Sequence, residues 1–563
     1  MNDSIREKYE LWLKMAVADP DLLAELKTYD DASIEEAFYS DLSFGTAGLR
    51  GVIGAGTNRM NVYTVALASK AMAEFVAKKG TACKSVAIAY DSRIKSELFA
   101  RTAAETFASE GVKVYLYPEL MPTPCLSFAV RYFHASAGVM VTASHNPAKY
   151  NGYKAYGADG CQMTENDAGF VYECMKKLDP FRDLSFGGFD EYVRNGMIAF
   201  IGPEVTDAYL SEVKKQSVLP PDAAVDRSVS IVYTPLNGAG RVPVLRVLRE
   251  CGFTNVTVVK EQEMPDGNFP TCTYPNPEIP ATMALGVEYC KRYDADLLIA
   301  TDPDSDRTSI AVKLPDLSYR ILSGNELGCL LLDYILSMKK RAGTLPKNGI
   351  AVKSIVTTDM AAAVAKEYGI ETRNVLTGFK YIGEQIRLLE EKGEEDRYLF
   401  GFEESCGFLA GTYVRDKDAV VASMLVAEMF VFEKSLGSDL AKKLDGLYRK
   451  YGYYRSEVLQ YEYPGIEGKQ TMREILSGFR EGVSSFAGVP VKETKDYLGI
   501  IDGLPKADVL KFALETGESV IIRPSGTEPK IKVYITSSGR SEKDAKDRAE
   551  RFRAAVEDRM KRE

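Results

Sequence analysis

Short apolar runs, each ending in a polar or glycine-rich loop and followed by an amphipathic stretch, recur along most of this chain. Residues 85–90 predict a strand, 94–110 a helix and 112–117 a second strand, an order that predicts parallel pairing. The run 138–141 predicts another buried strand. A similar plan returns with a helix at 204–216 and strands at 228–233 and 296–300. It returns again with a helix at 326–339, a strand at 351–356, a helix at 360–368, a strand at 372–376 and a short strand at 398–400. The repeat lies in the order of elements, without convincing self-similarity of sequence. Residues 3–39 predict a helical region interrupted near Asp19-Pro20-Asp21. The most apolar long stretch, 419–432, is interrupted by Glu428 and is too short to span a bilayer, so it predicts a buried helix. The chain closes with a strand at 531–536 and a charged helix at 541–561, in a mixed unit.

At 563 residues the chain exceeds what one core serves, and its length predicts about three or four domains. With 71 basic and 80 acidic residues, a net charge of −9 and no long block of one sign, it does not favour nucleic acid or an anionic membrane. An anionic substrate then requires a locally basic pocket. The nine cysteines are scattered and form no C-x-x-C pair, which fits a reducing compartment. Residues 1–9 are mixed in charge and carry no signal-peptide core, so the expected location is cytoplasmic.

Five candidates for chemistry stand on six loops. The first, Thr142-Ala143-Ser144-His145-Asn146-Pro147, follows the apolar run 138–141 and offers Ser144 as a nucleophile or phosphate carrier. With only two histidines in the chain, a serine–histidine–aspartate triad would have to use His134 or His145. In extended backbone the His145 side chain points away from that of Ser144, which argues against a hydrolase. Lys154 lies ten residues on, past an expected turn at Asn151-Gly152 that folds it back towards the serine. The second loop, Phe44 to Gly51, is dense in glycine and carries Arg50. Such a loop can cradle a phosphate, although taken singly it is more often a surface turn.

The third loop, Asp302-Pro303-Asp304-Ser305-Asp306-Arg307, alternates three carboxylates after a buried strand. In an extended or gently curved backbone alternate side chains share a face, so the three can converge on one hard cation such as Mg²⁺. The EF-hand pattern is excluded by Arg307 and Lys313 at its required glycine and glutamate positions. The fourth candidate comprises Thr377-Gly378-Phe379-Lys380 and Glu403-Glu404-Ser405. Alternation lets Glu403 and Ser405 face one cleft and grip vicinal hydroxyls. The fifth, Arg523-Pro524-Ser525-Gly526-Thr527-Glu528-Pro529-Lys530, combines hydroxyls, a glycine and two cations as a phosphate cradle. Arg415-Asp416-Lys417-Asp418 enters the buried helix at 419 and can be read simply as a charged first turn.

Taken together and in their order along the chain, the loops resemble those of the α-D-phosphohexomutase family, in its phosphoglucomutase and phosphomannomutase branch. The resemblance covers nearly the whole chain. It implies an α/β fold of four domains around a central cleft: three related α/β units with mixed sheets and a smaller C-terminal α+β domain. The implied division is 1–200 with an N-terminal helical extension, 204–316, 322–440 and 450–563. It also implies that Ser144 carries a phosphoryl group and that Mg²⁺ is held by Asp302, Asp304, Asp306 and a phosphoserine oxygen. Arg307, Thr377, Gly378, Lys380, Glu403, Ser405 and Lys417 become substrate-binding residues, and Arg523, Ser525, Gly526 and Thr527 phosphate-binding ones. Lys154 and Arg50 stand beside Ser144 for proton transfer, for which a basic lysine needs a depressed pKa. Some members carry Ser-Gly-His in the sugar loop; here the sequence is Ser405-Cys406-Gly407, which leaves the second acid–base group unassigned, with Lys417 as candidate and His145 beside the serine.

The implied reaction is reversible conversion of α-D-glucose 1-phosphate to glucose 6-phosphate through glucose 1,6-bisphosphate. The partners are small-molecule sugar phosphates; monomer and dimer are not distinguished. A phosphomannomutase, a dual-specificity or pentose enzyme, and a non-catalytic sugar-phosphate-binding protein are the alternatives. Ser144 and all three aspartates are present, which disfavours the last.

Overall fold

The structure is a computed structural model that describes residues 2–45, 48–80, 84–220, 222–463, 465–524 and 530–560. It divides into two compact units. The first comprises residues 1–322, 382–395 and 407–431; the second comprises 323–381, 396–406 and 432–563.

The first unit contains two sheets. One has the strand order Leu49–Val52, Tyr150–Gly157, Ala137–Val141, Ser85–Tyr90, Lys113–Leu116, Ile198–Phe200. Its last four strands run parallel, as expected where helices such as Ser96–Ser109 and Thr123–Tyr132 intervene. Ser85–Tyr90 and Ala137–Val141 are buried along their full length, which is why they read as continuous apolar runs. The expected turn at Asn151-Gly152 does not form. Both residues lie in the strand Tyr150–Gly157, antiparallel to Ala137–Val141, with Gly152 opposite Arg50 and Lys154 opposite Met140. Lys154 therefore returns to the serine loop by strand pairing. The reversal takes place earlier, in residues 142–149, too short a link for a parallel crossover.

The second sheet repeats that device. Its order is Tyr319–Ile321, Thr308–Lys313, Leu297–Thr301, Ile231–Thr234, Val256–Val258. Leu297–Thr301 is parallel to Ile231–Thr234 and antiparallel to Thr308–Lys313. The aspartate loop is the link between the antiparallel pair. In both sheets, then, the candidate loop stands where the sheet changes from parallel to antiparallel.

The N-terminal region forms the helices Asp3–Met15, Pro20–Leu26 and Asp31–Phe38, with Asp19 capping the second. In the second unit Ile350–Ser354 lies between Glu371–Val375 and Tyr398–Glu403, parallel to both. The same unit holds the C-terminal antiparallel sheet, ordered Tyr453–Glu462, Lys530–Gly539, Ser519–Pro524, Leu510–Leu514, Val489–Asp496, Ser485–Phe486. Its alternating inward residues, Phe512, Val520, Ile522, Val533 and Ile535, pack with Phe479 of the helix Gly465–Arg480 and with Phe552 and Val556 of the helix Glu542–Met560. The apolar stretch at 419 forms the helix Ala419–Ser435, and Glu428 within it is buried. Among the described residues no helix is long and apolar enough to cross a membrane.

Candidate active site

Ser144 sits at φ +53°, a left-handed conformation rare for a residue with a side chain. Several contacts hold it there. Its N–H donates to Thr142 Oγ1 at 2.7 Å, and Thr142 Oγ1 donates to Asp91 Oδ2 at 2.6 Å. Arg93, fully buried, places Nη2 2.5 Å from the carbonyl oxygens of Ser144 and Asn146. Its Nη1 donates to those of Pro147 and Tyr150 at 3.0 Å each. The planar fork of one guanidinium thus closes the loop on itself. Asp91 and Arg93 follow the strand Ser85–Tyr90 and were not among the candidate site residues; an arginine directly after a buried strand is the signal in the sequence.

The left-handed turn also overturns the expectation that His145 points away. Its Nδ1 lies 3.1 Å from Ser144 Oγ. Burial, with Arg307 and Arg50 nearby, holds the imidazole well below its ordinary pKa and so neutral at pH 7. Arg50 reaches the loop itself, Nη1 to Asn146 Oδ1 at 3.3 Å.

Ser144 Oγ donates to Asp302 Oδ2 at 3.0 Å. The three aspartates converge, with candidate ligand oxygens within 4.8 Å of one another and all three residues buried. They do so in a tight turn and not, as expected, in extended or gently curved backbone. Asp302 Oδ1 accepts the N–H groups of Asp306 and Arg307 at 3.0 Å each, and Ser305 takes φ +51°. The loop 234–240 backs this turn: Ala239 N–H donates to the Pro303 carbonyl at 2.7 Å, and a Cβ on Gly238 would stand 2.4 Å from Pro303 Cα. Only glycine fits that approach.

Both Asp302 oxygens are engaged by the protein, and Asp304 and Asp306 have one each. Asp304 Oδ2 accepts from Thr123 Oγ1 at 2.8 Å and from Lys154 Nζ at 2.7 Å. Asp306 Oδ2 faces Lys154 Nζ at 3.2 Å and Lys417 Nζ at 3.1 Å. The other oxygens, Asp304 Oδ1 and Asp306 Oδ1, are buried without a hydrogen-bond partner. Burial and the neighbouring Asp304 and Asp306 push the Asp302 carboxyl well above its ordinary range. Orphaned carboxylate oxygens and mutual repulsion are what a hard divalent cation relieves, so the residues present fit one.

Burial lowers the Lys154 ammonium, but Asp304 and Asp306 more than offset it and hold Lys154 above its ordinary pKa in this arrangement. Against burial, Lys417, Lys154 and Arg307 hold Asp306 below the ordinary carboxylate range. Arg307 Nη1 pairs with Glu278 at 2.5 Å. Asp418 turns out to cap the helix Ala419–Ser435, accepting from Val420 N and Val421 N at 2.8 and 3.1 Å.

In the second unit Glu403 is buried at the end of its strand, and its Oε1 accepts the Gly378 N–H at 2.7 Å. Lys380 Nζ lies 4.7 Å from the Tyr381 ring centroid, and Thr377 is half-buried. Strand geometry ends at Glu403, so the alternation expected to pair Glu403 with Ser405 does not extend to Ser405, which sits in a turn over 404–406. Glu404 Oε2 secures that turn, accepting from Ser354 Oγ and Thr357 Oγ1 at 3.3 Å each. Arg523 is the penultimate residue of the strand Ser519–Pro524 and hydrogen-bonds the Tyr534 phenol, which also stands near Glu404. Ser525, Gly526 and Thr527 lie outside the described residues.

Four family profiles match in order: phosphoglucomutase/phosphomannomutase alpha/beta/alpha domain I at 41–181, domain II at 207–314, domain III at 323–451 and the C-terminal domain at 483–555. The chain belongs to the phosphoglucomutase/phosphomannomutase family. As a member it is an enzyme of the isomerase class that works by phosphotransfer. The phosphoglucomutase of Staphylococcus saprophyticus is 35% identical over 528 residues, covering 90% of this chain and 93% of that one. That of Staphylococcus aureus is 33% identical over 544 residues, covering 94% and 95%. Two solved structures share the family fold. Parafusin, a phosphoglucomutase from Paramecium in its open form, aligns with a TM-score of 0.68 at 17% identity, covering 92% of this chain and 96% of that one. The N-acetylphosphoglucosamine mutase of Aspergillus fumigatus, solved with GlcNAc-6P and magnesium, aligns with a TM-score of 0.52 at 16% identity, covering 92% and 96%.

Proposed function

We propose that this family member interconverts α-D-glucose 1-phosphate and glucose 6-phosphate through a phosphorylated Ser144, with glucose 1,6-bisphosphate as intermediate and activator and Mg²⁺ as its metal. The observation that carries the reading is Ser144 Oγ at 3.0 Å from Asp302 within a buried aspartate triad flanked by two lysines. A hydroxyl beside a cation site, ringed by Arg50, Lys154 and Lys417, suits a group that gives and recovers a phosphoryl. Such transfer depends mainly on positioning and charge neutralisation.

Asp302, Asp304 and Asp306 would hold the metal, together with an oxygen of the phosphorylated Ser144. When bound, Mg²⁺ neutralises phosphate charge. The bond from phosphorus to Ser144 Oγ breaks as the free sugar hydroxyl forms its own bond to that phosphorus. The hydroxyl proton passes to a base, for which Lys417 is the candidate, and Ser144 Oγ recovers a proton from the Lys154, Arg50 and His145 side. The bisphosphate then turns over and returns its other phosphoryl to Ser144. Glu403 and Ser405 grip sugar hydroxyls, with Thr377, Gly378, Lys380 and Arg307 as further substrate contacts. Arg523, Ser525, Gly526 and Thr527 bind the non-reacting phosphate. The division at 1–200, 204–316, 322–440 and 450–563, and a cytoplasmic location supported by scattered thiols, belong to the same proposal.

A coupled dehydrogenase assay with Mg²⁺ and a trace of glucose 1,6-bisphosphate tests it. Turnover of glucose 1-phosphate with the higher kcat/KM is expected. Turnover of mannose 1-phosphate alone would reassign the sugar, and turnover of neither would end the hexose reading.

A further inference from the structure

We infer that Asp416 is a positioning residue for Lys417, tied through Tyr156 to the strand that carries Lys154. This rests on reading the aspartate cluster as the phosphoryl-transfer centre.

The backbone around Lys417 is fixed on both sides. Arg415, wholly buried, pairs with Glu390 at 2.7 Å, and the same carboxylate binds Arg131 at 2.7 Å. The Arg415 N–H donates to Ser127 Oγ at 2.9 Å. On the other side Asp418 accepts from Tyr209 at 2.9 Å and from Tyr413 at 2.6 Å, besides capping its helix. The Lys417 stem then crosses Gly407, where a Cβ would stand 2.2 Å from Lys417 Cδ. What is left to determine is where the ammonium points.

Asp416 determines it. Its Oδ1 accepts the Lys417 N–H at 2.8 Å and faces Lys417 Nζ at 3.3 Å. Its Oδ2 accepts from Tyr156 Oη at 2.8 Å and Gln162 Nε2 at 3.0 Å. Tyr156 lies two residues beyond Lys154 on the strand Tyr150–Gly157, so both side chains leave the same face. One strand therefore sets both lysines, Lys154 directly and Lys417 through Tyr156 and Asp416. Both ammonium groups meet Asp306 at Oδ2, and Asp306 Oδ1 keeps no hydrogen-bond partner. Asp416 shares the Lys417 charge and keeps it off that oxygen, the one a metal needs. A purely structural role accounts for the Tyr156, Gln162 and Lys417 N–H contacts; the positioning role is carried by the approach of Lys417 Nζ to the same Oδ1 at 3.3 Å.

The test is a double-mutant cycle with Mg²⁺ in the sugar-phosphate assay, supported by trace acetylation of lysines read by mass spectrometry. Asp416→Asn is expected to lower kcat about tenfold, and the milder Tyr156→Phe by less, with KM near wild type. Neither lowers kcat further in a Lys417→Met background. Full additivity with Lys417→Met, or a rise in KM alone, overturns the inference. Acetylation of Lys417 is expected to rise several-fold relative to Lys154 in Asp416→Asn; an unchanged ratio overturns it whatever the activity. If the wild type turns over no sugar phosphate while the labelling shifts, the mutase reading falls and the positioning role stands.

Discussion

Arg93 Nη2 lies 2.5 Å from the carbonyl oxygen of Ser144, and the same guanidinium reaches three further carbonyls of the loop. The left-handed turn at Ser144 is therefore held from inside by a buried cation. Arg93→Met leaves those carbonyls without their donor, a change worth about 3 kcal/mol or more in a buried site. Lysine cannot reproduce the fork, so Arg93→Lys is expected to behave almost as badly. The expected outcome for both is a lower melting temperature and a kcat reduced about 10²-fold, since small misplacements of a reacting atom cost that much. Thermal melts and steady-state kinetics on the two variants check it.

Ser144→Ala is expected to abolish phosphoenzyme. Intact-mass spectra after incubation with glucose 1,6-bisphosphate should show one added phosphoryl group in the wild type and none in the variant. A retained adduct would move the carrier elsewhere.

Mg²⁺ is expected to raise the melting temperature of metal-stripped protein by relieving the repulsion among Asp302, Asp304 and Asp306. A concentration one hundred times the dissociation constant corresponds to about 2.7 kcal/mol. Asp304→Ala and Asp306→Ala should lose most of that response, and chelation should stop turnover until Mg²⁺ is restored.

Thr123→Val removes the hydroxyl that donates to Asp304 Oδ2 while keeping the volume. Loss of a partner that orients a ligand costs about 10- to 100-fold in metal affinity. Thr123→Ser should retain near wild-type affinity. Isothermal titration with Mg²⁺ distinguishes the two.

Glu428 supplies a pH dependence. Burial pushes its carboxyl up to about 7, although Ser217 and the N–H groups of Val218 and Leu219 favour the charged form. The folded state thus holds a proton that the unfolded chain releases near its ordinary carboxyl pKa. Stability contributed at low pH is lost as pH rises from about 4.5 to about 7, by at most ~1.4 kcal/mol per pH unit. Glu428→Gln should flatten that slope and be more stable than wild type at pH 8, as chemical denaturation across the range would show.

Much of this architecture was legible because buried parallel strands such as Ser85–Tyr90 leave unbroken apolar runs; the start of the helix Pro20–Leu26 showed only as an interruption, because a proline that breaks a helix interior also suits a first turn behind a cap such as Asp19. Ser144 and the three aspartates were legible as residue types in loops after such strands. Their local geometry was not. Extended backbone sent His145 away from Ser144, whereas left-handed φ at Ser144 brings the ring to 3.1 Å. The same assumption joined Ser405 to Glu403, whereas the strand ends at Glu403. Turn conformations at non-glycine positions depend on tertiary donors such as Arg93, which lies 51 residues from Ser144. The role of Thr123 was invisible for the same reason, since it exists only across a contact 181 positions long, and so was the tie of Asp416 to Tyr156, 260 positions away.

The Thr123–Asp304 contact spans 181 positions and joins the first α/β domain to the aspartate loop of the second. The family's domains look like interchangeable parts, yet this one is wired to its neighbour at the metal. A chimera that places residues 207–314 of this chain in a relative without a matching hydroxyl at position 123 is expected to fold, pair its strands and still bind Mg²⁺ poorly. Recombination between members is then constrained at this seam more tightly than sequence identity suggests, and grafting the threonine with the aspartate loop should lift that constraint.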